Sequence, residues 1–212
     1  MEWPGEIVIR VLAADDHAIV RDGIANLIET QSDMQLVGEA SDGREAVEQF
    51  RQHHPDITLM DLQMPNVSGI DAINAIRGEF PDARIIVLTT YAGDVQVKRA
   101  LQAGAQGYLL KDLLRKELLE TIRAVYGGQK RLSPEIAAAI AEHAIDPGLS
   151  AREVSVLKLI AEGNANKEIA AQLHISEESV KGYVKNILLK LDAYDRTHAV
   201  TIGLRRGIID LK

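Results

Sequence analysis

With 212 residues, 46% of them hydrophobic and 26% charged, the chain is long enough for one large or two smaller folded domains. It has no apolar run of the ~18 residues that cross a bilayer, no basic leader of the secretory type and no cysteine. These absences argue against membrane spans, disulfides and thiolate sites, and they predict a cytoplasmic protein. The net charge of −7 is uneven, because residues 150–212 carry ten Lys/Arg against eight Asp/Glu (+2) and the rest carries −9. This asymmetry weakly indicates that the C-terminal third binds nucleic acid.

Five stretches before residue 127 are short, apolar and rich in Val, Ile and Leu, which is typical of strands. The predicted strands are 7–14, 35–40, 56–60, 84–90 and 106–110. Amphipathic patterns predict helices at about 17–30, 43–54, 68–79, 94–103 and 113–126. Continuously apolar strands are usually covered on both faces. Five β–α units therefore predict an α/β fold, a doubly wound five-stranded parallel sheet with right-handed crossovers.

The first predicted strand ends at two adjacent carboxylates, Asp15 and Asp16. Two like charges side by side need water or a cation, so the pair forms either a solvated turn or half of a metal site. Ligands of open α/β sheets bind beyond the carboxyl ends of the strands, where Asp61, Thr89 and Lys111 also lie. Three carboxylates suit Mg²⁺, which prefers oxygen ligands. One of them could attack a phosphoryl group whose charge the ammonium and the hydroxyl would offset.

Four segments around these strand ends resemble the receiver domain of two-component response regulators. They are 14-ADDH-17, 59-LMDLQMPNVSG-69, 87-VLTTY-91 and 103-AGAQGYLLKD-112. The resemblance covers about residues 7–126 and implies a flavodoxin-like sheet with strand order 2-1-3-4-5. It also implies that Asp61 is a phospho-acceptor for a sensor histidine kinase. Mg²⁺ would be held by Asp16, Asp61 and the backbone carbonyl of Gln63, with Asp15 acting mainly through a metal-bound water.

The same resemblance gives roles to the remaining strand-end residues. Lys111 would pair with the phosphoryl oxygens, Thr89 would hydrogen-bond to one of them, and the rotamer of Tyr108 would follow Thr89. Considered singly, each has a plainer interpretation: a surface charge, strand filler and a core aromatic. Asp112 stands where many receivers have proline. His17 is interpreted as a structural residue at a helix start rather than as a ligand.

After the fifth helix the strand pattern stops at Gly127–Gly128. A polar passage at 129–134 precedes a short Ala-rich helix at 135–144 and a tether at 145–149. Further helices are predicted at about 150–162, 166–173, 177–190 and 195–206. Ser150 and Glu153 have the spacing of a capping box, and Ser176 is a suitable N-cap. The C-terminal third is therefore predicted to be an all-α, four-helix domain.

The helix predicted at 177–190 carries two lysines on one face. Lys181 and Lys185 are four residues apart, with Gly182 beside them, and Val180 and Ile187 lie on the buried side. This pattern is compatible with an ordinary solvated face. It also fits a helix that enters the major groove of DNA, because it follows another helix after a tight break near 174–176.

Residues 149–200 resemble the LuxR-type helix-turn-helix, and together with a receiver they resemble a NarL/FixJ-type response regulator. The resemblance implies that Lys181, Gly182 and Lys185 face bases or their flanking backbone. Weaker candidates for phosphate contacts are Ser179, Asn186 and Lys190. The final helix, 195–206, would form the contact of a homodimer on double-stranded promoter DNA. The predicted domains are a receiver at 7–127, a linker at 128–148 and a DNA-binding domain at 149–212.

We therefore predict a transcription factor, not an enzyme, whose DNA binding is controlled by Mg²⁺-dependent phosphorylation of Asp61. One alternative is a phosphatase of the haloacid-dehalogenase type, which needs a second acid two residues after its nucleophile. That position here is Gln63. Another alternative is a constitutive DNA-binding protein that uses a degenerate receiver only for dimerisation. The complete set of acids, hydroxyl and lysine argues against it.

Overall fold

The computed structural model of the chain describes residues 8–90, 93–142 and 148–209. The predicted strand start at residue 7, the helix end at 143–144, the tether at 145–147 and the chain end at 210–212 lie outside the described residues. The described residues form two compact units. One contains residues up to 90 together with 97–137, and the other contains 93–96 together with those from 138 onward.

The first unit is built on a fully parallel sheet of order β2-β1-β3-β4-β5-β6. Its strands are β1 (Ile9–Ala14), β2 (Met34–Ala40), β3 (Ile57–Asp61), β4 (Ile85–Thr89), β5 (Gly107–Leu110) and β6 (Arg131–Leu132). The doubly wound sheet and its order 2-1-3-4-5 are confirmed. The predicted strand count of five is corrected to six, because the linker passage adds an edge strand.

The sixth strand is too short to leave an apolar signal in the sequence. Arg131 and Leu132 pair with Gly107 and Tyr108 of β5, and the N–H of Arg131 donates to the carbonyl of Gln106 at 2.9 Å. The strand exists because the open edge of β5 offers hydrogen-bond partners, which is a long-range cause. Residues 128–137, predicted as linker, thus belong to the first unit.

Helices follow the strands as predicted. They are α1 (Ala18–Glu29), α2 (Gly43–His53), α3 (Gly69–Glu79), α4 (Asp94–Gln102), a 3-10 turn (Lys111–Leu113), α5 (Leu114–Tyr126) and α6 (Pro134–Glu142). One core cluster joins α1 and α5 to the sheet, with Ile28, Ile57, Leu59 and Ile122 all fully buried. Because helices pack against the apolar strands, the carboxyl ends of the strands are held in fixed positions.

The second unit contains four further helices, as predicted: α7 (Ala151–Ala161), α8 (Asn166–Leu173), α9 (Glu177–Lys190) and α10 (Arg196–Arg205). Ser150 and Glu153 form the predicted capping box of α7, and the Ser176 side chain caps α9 by accepting from the N–H of Ser179. His174 has the left-handed backbone (φ +53°) that turns the chain from α8 into α9. Among the described residues, no helix is long and apolar enough to span a membrane.

Candidate functional sites

The strand register places two of the predicted acids side by side. Ala14 of β1 pairs with Met60 of β3, so the residues that follow, Asp15 and Asp61, emerge next to each other at the carboxyl end of the sheet. The N–H of Asp15 continues the ladder by donating to the carbonyl of Ala40 at 3.0 Å. Asp15 is 0% and Asp61 3% exposed. Asp15 and Asp61 are therefore part of the sheet's buried rim.

Lys111 lies between the two buried acids. Its Nζ is 2.7 Å from Oδ2 of Asp15 and 2.9 Å from Oδ2 of Asp61. Burial lowers the pKa of the Lys111 ammonium, but the hydrogen bonds to the two carboxylates outweigh burial, so the pKa is raised. Burial also raises the pKa of Asp61, and Lys111 opposes that rise only in part. The Lys111 ammonium therefore lies between the two carboxylates.

Asp16 and His17 complete the acidic cluster from the solvent side. The Asp16 side chain is 32% exposed, and the His17 Nδ1 lies 2.7 Å from Oδ1 of Asp16 and 3.2 Å from Oδ1 of Asp15. The backbone N–H of His17 donates to the same Asp15 oxygen at 2.9 Å. His17 is at the N-cap position of α1, but its side chain makes no capping bond. The helix-start interpretation of His17 thus missed its contacts with both acids.

The donor set of this cluster fits a hard divalent cation. Asp15, Asp16, His17 and Asp61 each offer a ligand atom, and these atoms lie within 4.8 Å of one another. When all three carboxylates are ionised, Lys111 leaves a net charge of −2, which a divalent ion would neutralise. Carboxylate oxygens are the ligands that Mg²⁺ and Mn²⁺ prefer. The chemistry of the donors therefore supports a metal at the place where the sequence predicts it.

A tight return of the β3–α3 loop places Gln63 beside Asp61. The N–H of Gln63 donates to Oδ1 of Asp61 at 3.2 Å, and the N–H of Gly69 donates to the carbonyl of Leu62 at 3.1 Å. A Cβ at Gly69 would come within 1.9 Å of the carbonyl oxygen of Asp61. Only glycine allows this approach, which explains the glycine that ends the 59-LMDLQMPNVSG-69 segment.

Thr89 and Tyr108 lie buried next to the acids. Thr89, at the end of β4, is 4% exposed and Tyr108, in β5, is 1% exposed. Burial raises the pKa of the Tyr108 phenol, the Thr89 side chain opposes the rise, and the charge of Asp61 adds to it. Thr89 and Tyr108 therefore lie in the same buried part of the domain as Asp61, and the coupling of the Tyr108 rotamer to Thr89 stays a prediction.

On α9 the predicted DNA-facing residues form one exposed face. Ser179, Lys181, Gly182, Lys185 and Asn186 are all exposed, whereas the opposite side of the helix is in the core of the second unit. Lys181 pairs with Glu178 at 3.3 Å, and both side chains are largely exposed. A face of this kind leaves its donors accessible to an external partner.

Lys190, the last of the predicted DNA contacts, is differently placed. Its Nζ is 2.7 Å from Oε2 of Glu153, whose side chain is 4% exposed. The same carboxylate accepts the N–H of Ser150 in the capping box at 2.7 Å. Sequence analysis identified the cap but not the ion pair, because α7 and α9 are far apart in the chain. Lys190 therefore joins these two helices, and because its side chain is 30% exposed, its contact with a DNA phosphate stays a prediction.

Two family descriptions match the chain. Residues 11–123 match the response regulator receiver domain, and residues 147–202 match the bacterial regulatory proteins of the luxR family. The chain is 44% identical over 209 residues to the transcriptional regulatory protein YhcZ of Bacillus subtilis, covering 94% of this chain and 97% of that protein. It is 36% identical over 208 residues to the response regulator VraR of Staphylococcus aureus, covering 96% and 100%.

Solved structures show the same architecture. The response regulator ChrA of a heme-sensing two-component system is 35% identical, with a TM-score of 0.58, and the match covers 96% of this chain and 100% of that one. RcsB from Salmonella enterica serovar Typhimurium, bound to a promoter in the presence of the phosphomimetic BeF3−, is 28% identical, with a TM-score of 0.72 and coverage of 92% and 97%.

Proposed function

The chain belongs to the LuxR-type two-component response regulators, DNA-binding regulators of transcription, and on that premise we propose that phosphorylation of Asp61 controls its binding to DNA. The observation that carries the proposal is Lys111, held between Asp15 and Asp61 at 2.7 and 2.9 Å. A buried ammonium beside the acceptor carboxylate is positioned to pair with phosphoryl oxygens. The family is not typically enzymatic, and we propose no substrate turnover.

The phosphoryl group would come from a phosphohistidine of a sensor kinase. An oxygen of Asp61 attacks phosphorus, the P–O bond forms as the P–N bond breaks, and the departing imidazole takes the electron pair and a proton. Asp15, Asp16, Asp61 and the backbone carbonyl of Gln63 would hold Mg²⁺. Bound there, the ion would offset charge on the transferred oxygens and the acids. Lys111 would neutralise the remaining charge, and the N–H of Gln63 would keep the acceptor carboxylate oriented.

Phosphorylation would change the charge balance of this buried region. The modification adds a charge of about −1.5 to −2 and strong acceptor oxygens. Lys111 would pair with the new charge, and the Thr89 hydroxyl would donate a hydrogen bond to a phosphoryl oxygen. Tyr108, whose phenol interacts with Thr89 and Asp61, would then change its surroundings. A modification of this kind shifts the equilibrium between two pre-existing states of the domain.

The kinase would dock on the surface that surrounds the acidic cluster. Ile19, in the first turn of α1 and three residues after Asp16, is 86% exposed. A large apolar side chain left in water beside a reactive site suits contact with a partner that must bring its phosphohistidine to that site. We include Ile19 in the proposed kinase contact.

DNA binding would use the exposed face of α9. Lys181, Gly182 and Lys185 would face bases or their flanking backbone, with Ser179 and Asn186 at phosphates. All five are exposed. The chain would act as a homodimer on paired half-sites, with α10 in the dimer contact. A structure of two RcsB dimers bound to two parallel DNAs supports a dimer on DNA.

Acyl-phosphate labelling tests the proposal most directly. The full chain is incubated with acetyl phosphate and Mg²⁺, and incorporation of the phosphoryl group is measured. A genome-wide binding experiment supplies the target DNA fragments, and the affinity of the chain for them is measured with and without acetyl phosphate. We expect Asp61→Ala to lose both labelling and the change in DNA affinity. Asp112→Ala, which removes an exposed acid beside Lys111, should keep both. If Asp61→Ala bound DNA and responded to the phosphodonor like the parent chain, the proposed switch would be wrong.

A further inference from the structure

Arg21, in the second turn of α1, contacts the backbone that carries the two adjacent acids. Its guanidinium Nη1 donates to the carbonyl of Asp15 at 2.6 Å, and its Nε pairs with Oε2 of Glu39 on β2 at 3.3 Å. The side chain is only 19% exposed. A guanidinium is a cation with no lone pair to offer Mg²⁺, which prefers oxygen ligands, so any role of Arg21 in the site is indirect.

The carbonyl that Arg21 holds belongs to the peptide linking Asp15 to Asp16. A peptide unit is planar, so fixing its oxygen fixes the plane and restricts the directions in which both side chains leave the backbone. The N–H of Asp15 is held by Ala40, and one oxygen of its side chain is held by the N–H of His17. Arg21 supplies the remaining restraint, on the carbonyl. With it, Asp15 is turned inward to Lys111 while Asp16 faces solvent.

We propose that Arg21 is a positioning residue for the metal site: by clamping the Asp15–Asp16 peptide it holds the acid pair in the geometry that binds a divalent cation. This inference rests on the proposed function, because it needs Asp15, Asp16 and Asp61 to bind Mg²⁺. Groups that orient metal ligands without touching the metal commonly change metal affinity by about 10- to 100-fold when removed.

A purely electrostatic role for Arg21 predicts the opposite sign. A guanidinium near a cation site repels the cation, so removal of its charge alone would tighten metal binding. Glu39, at 3.3 Å from Nε, offsets part of that charge. The direction of the change in affinity therefore separates positioning from charge.

The test is isothermal titration calorimetry, in which Mg²⁺ is titrated into the unphosphorylated 212-residue chain. We expect Arg21→Ala to weaken Mg²⁺ binding about tenfold or more. Arg21→Lys should recover part of the loss, since an ammonium can still donate to the carbonyl. Arg44→Ala is the matched control, because it removes an exposed arginine of the same unit and should leave the affinity within twofold. The backbone ¹H–¹⁵N resonance of Asp16, whose nitrogen is in the clamped peptide, should shift in Arg21→Ala and not in the control.

Thermal unfolding of each variant shows whether it is folded at the titration temperature. If Arg21→Ala does not fold, Arg21→Lys and Arg21→Gln carry the same test, with weaker binding expected of both. Affinity equal to or tighter than that of the wild type in the folded variants overturns the positioning role alone. Failure of the wild-type chain to bind Mg²⁺ overturns both this inference and the proposed metal site.

Discussion

The two units differ in how far the charged residues that we assign to function are exposed to solvent. In the first unit Asp15 and Asp61 are buried, and both pair with Lys111, whose side chain is 11% exposed. In the second unit Lys181 and Lys185 are exposed on α9, and the ion pair of Lys181 lies at the surface. Phosphoryl transfer requires groups that are positioned before the reaction, whereas a DNA-reading face must present free donors to an external partner. We therefore expect substitutions to disturb folding in the first site and only binding in the second.

The largest effect on stability is expected from Lys111→Met. The substitution leaves Asp15 and Asp61 buried without their common counter-ion, and loss of one partner of a buried ion pair costs on the order of 3 kcal/mol. Urea unfolding of the wild type and the variant measures this loss. The double variant Lys111→Met/Asp61→Asn should recover part of the lost unfolding free energy, because only one of the two carboxylates then remains without a counter-ion. Equal stability of the wild type and Lys111→Met would contradict the idea that the site is internally paired.

Glu153→Gln applies the same test to the second unit, where the buried carboxylate of Glu153 pairs with the partly exposed Lys190. We expect a loss of about 2 kcal/mol, the order of a hydrogen bond to a charged group. Burial raises the pKa of Glu153, but Lys190 and the Ser150 cap outweigh burial, so its pKa is lowered in the folded state. The stabilisation is therefore present above the unfolded pKa of about 4.3 and is lost as pH falls through the lower folded value.

Urea unfolding at pH 7 and at pH 3.5 measures this dependence. The difference between wild type and Glu153→Gln should narrow at the lower pH. Glu162→Gln is the control, because Glu162 is exposed just after the same helix and should change stability by less than about 0.5 kcal/mol. A difference that widened toward acid pH would contradict the assigned sign of the pKa shift.

Much of the architecture could be predicted because its causes are local. The apolar strands, the Ser150–Glu153 cap and the Ser176 cap each depend on residues close in the chain. The acids converge because parallel strands end on one side of a sheet, so Asp15 and Asp61 could be brought together from sequence alone.

The features that sequence analysis missed depend on contacts between distant segments. The strand β6 forms by pairing with the free edge of β5, and its two residues, Arg131 and Leu132, are too few to give a strand pattern in the sequence. Lys190 has the pattern of an exposed lysine until α7 brings Glu153 to it. Arg21 has no sequence signal for its bond to the Asp15 carbonyl, because a backbone acceptor carries no residue type.

Lys181→Ala and Lys185→Ala sharpen the comparison by separating binding from stability. Each should weaken binding to promoter DNA about tenfold, or ~1.4 kcal/mol, and lower the slope of log affinity against log salt by about 1. Unfolding free energies should stay within about 0.5 kcal/mol of the wild type. Lys158→Ala, which removes an exposed lysine from α7, is the control for loss of charge. If it weakened binding as much as the α9 variants, the effect would come from net charge and not from the face of α9.

The smallest effect is expected at Ile19, an exposed residue of the unit in which Asp15 and Asp61 are buried. Because its side chain is 86% exposed, Ile19→Ser should leave stability within about 0.5 kcal/mol of the wild type. If Ile19 contacts the kinase, phosphorylation by the cognate kinase should slow several-fold, as for a contact worth about 1 kcal/mol. Labelling by acetyl phosphate, which needs no docking surface, should be unchanged. Equal slowing with both donors would place the effect in the acidic site itself, and unchanged rates with both would remove Ile19 from the kinase contact.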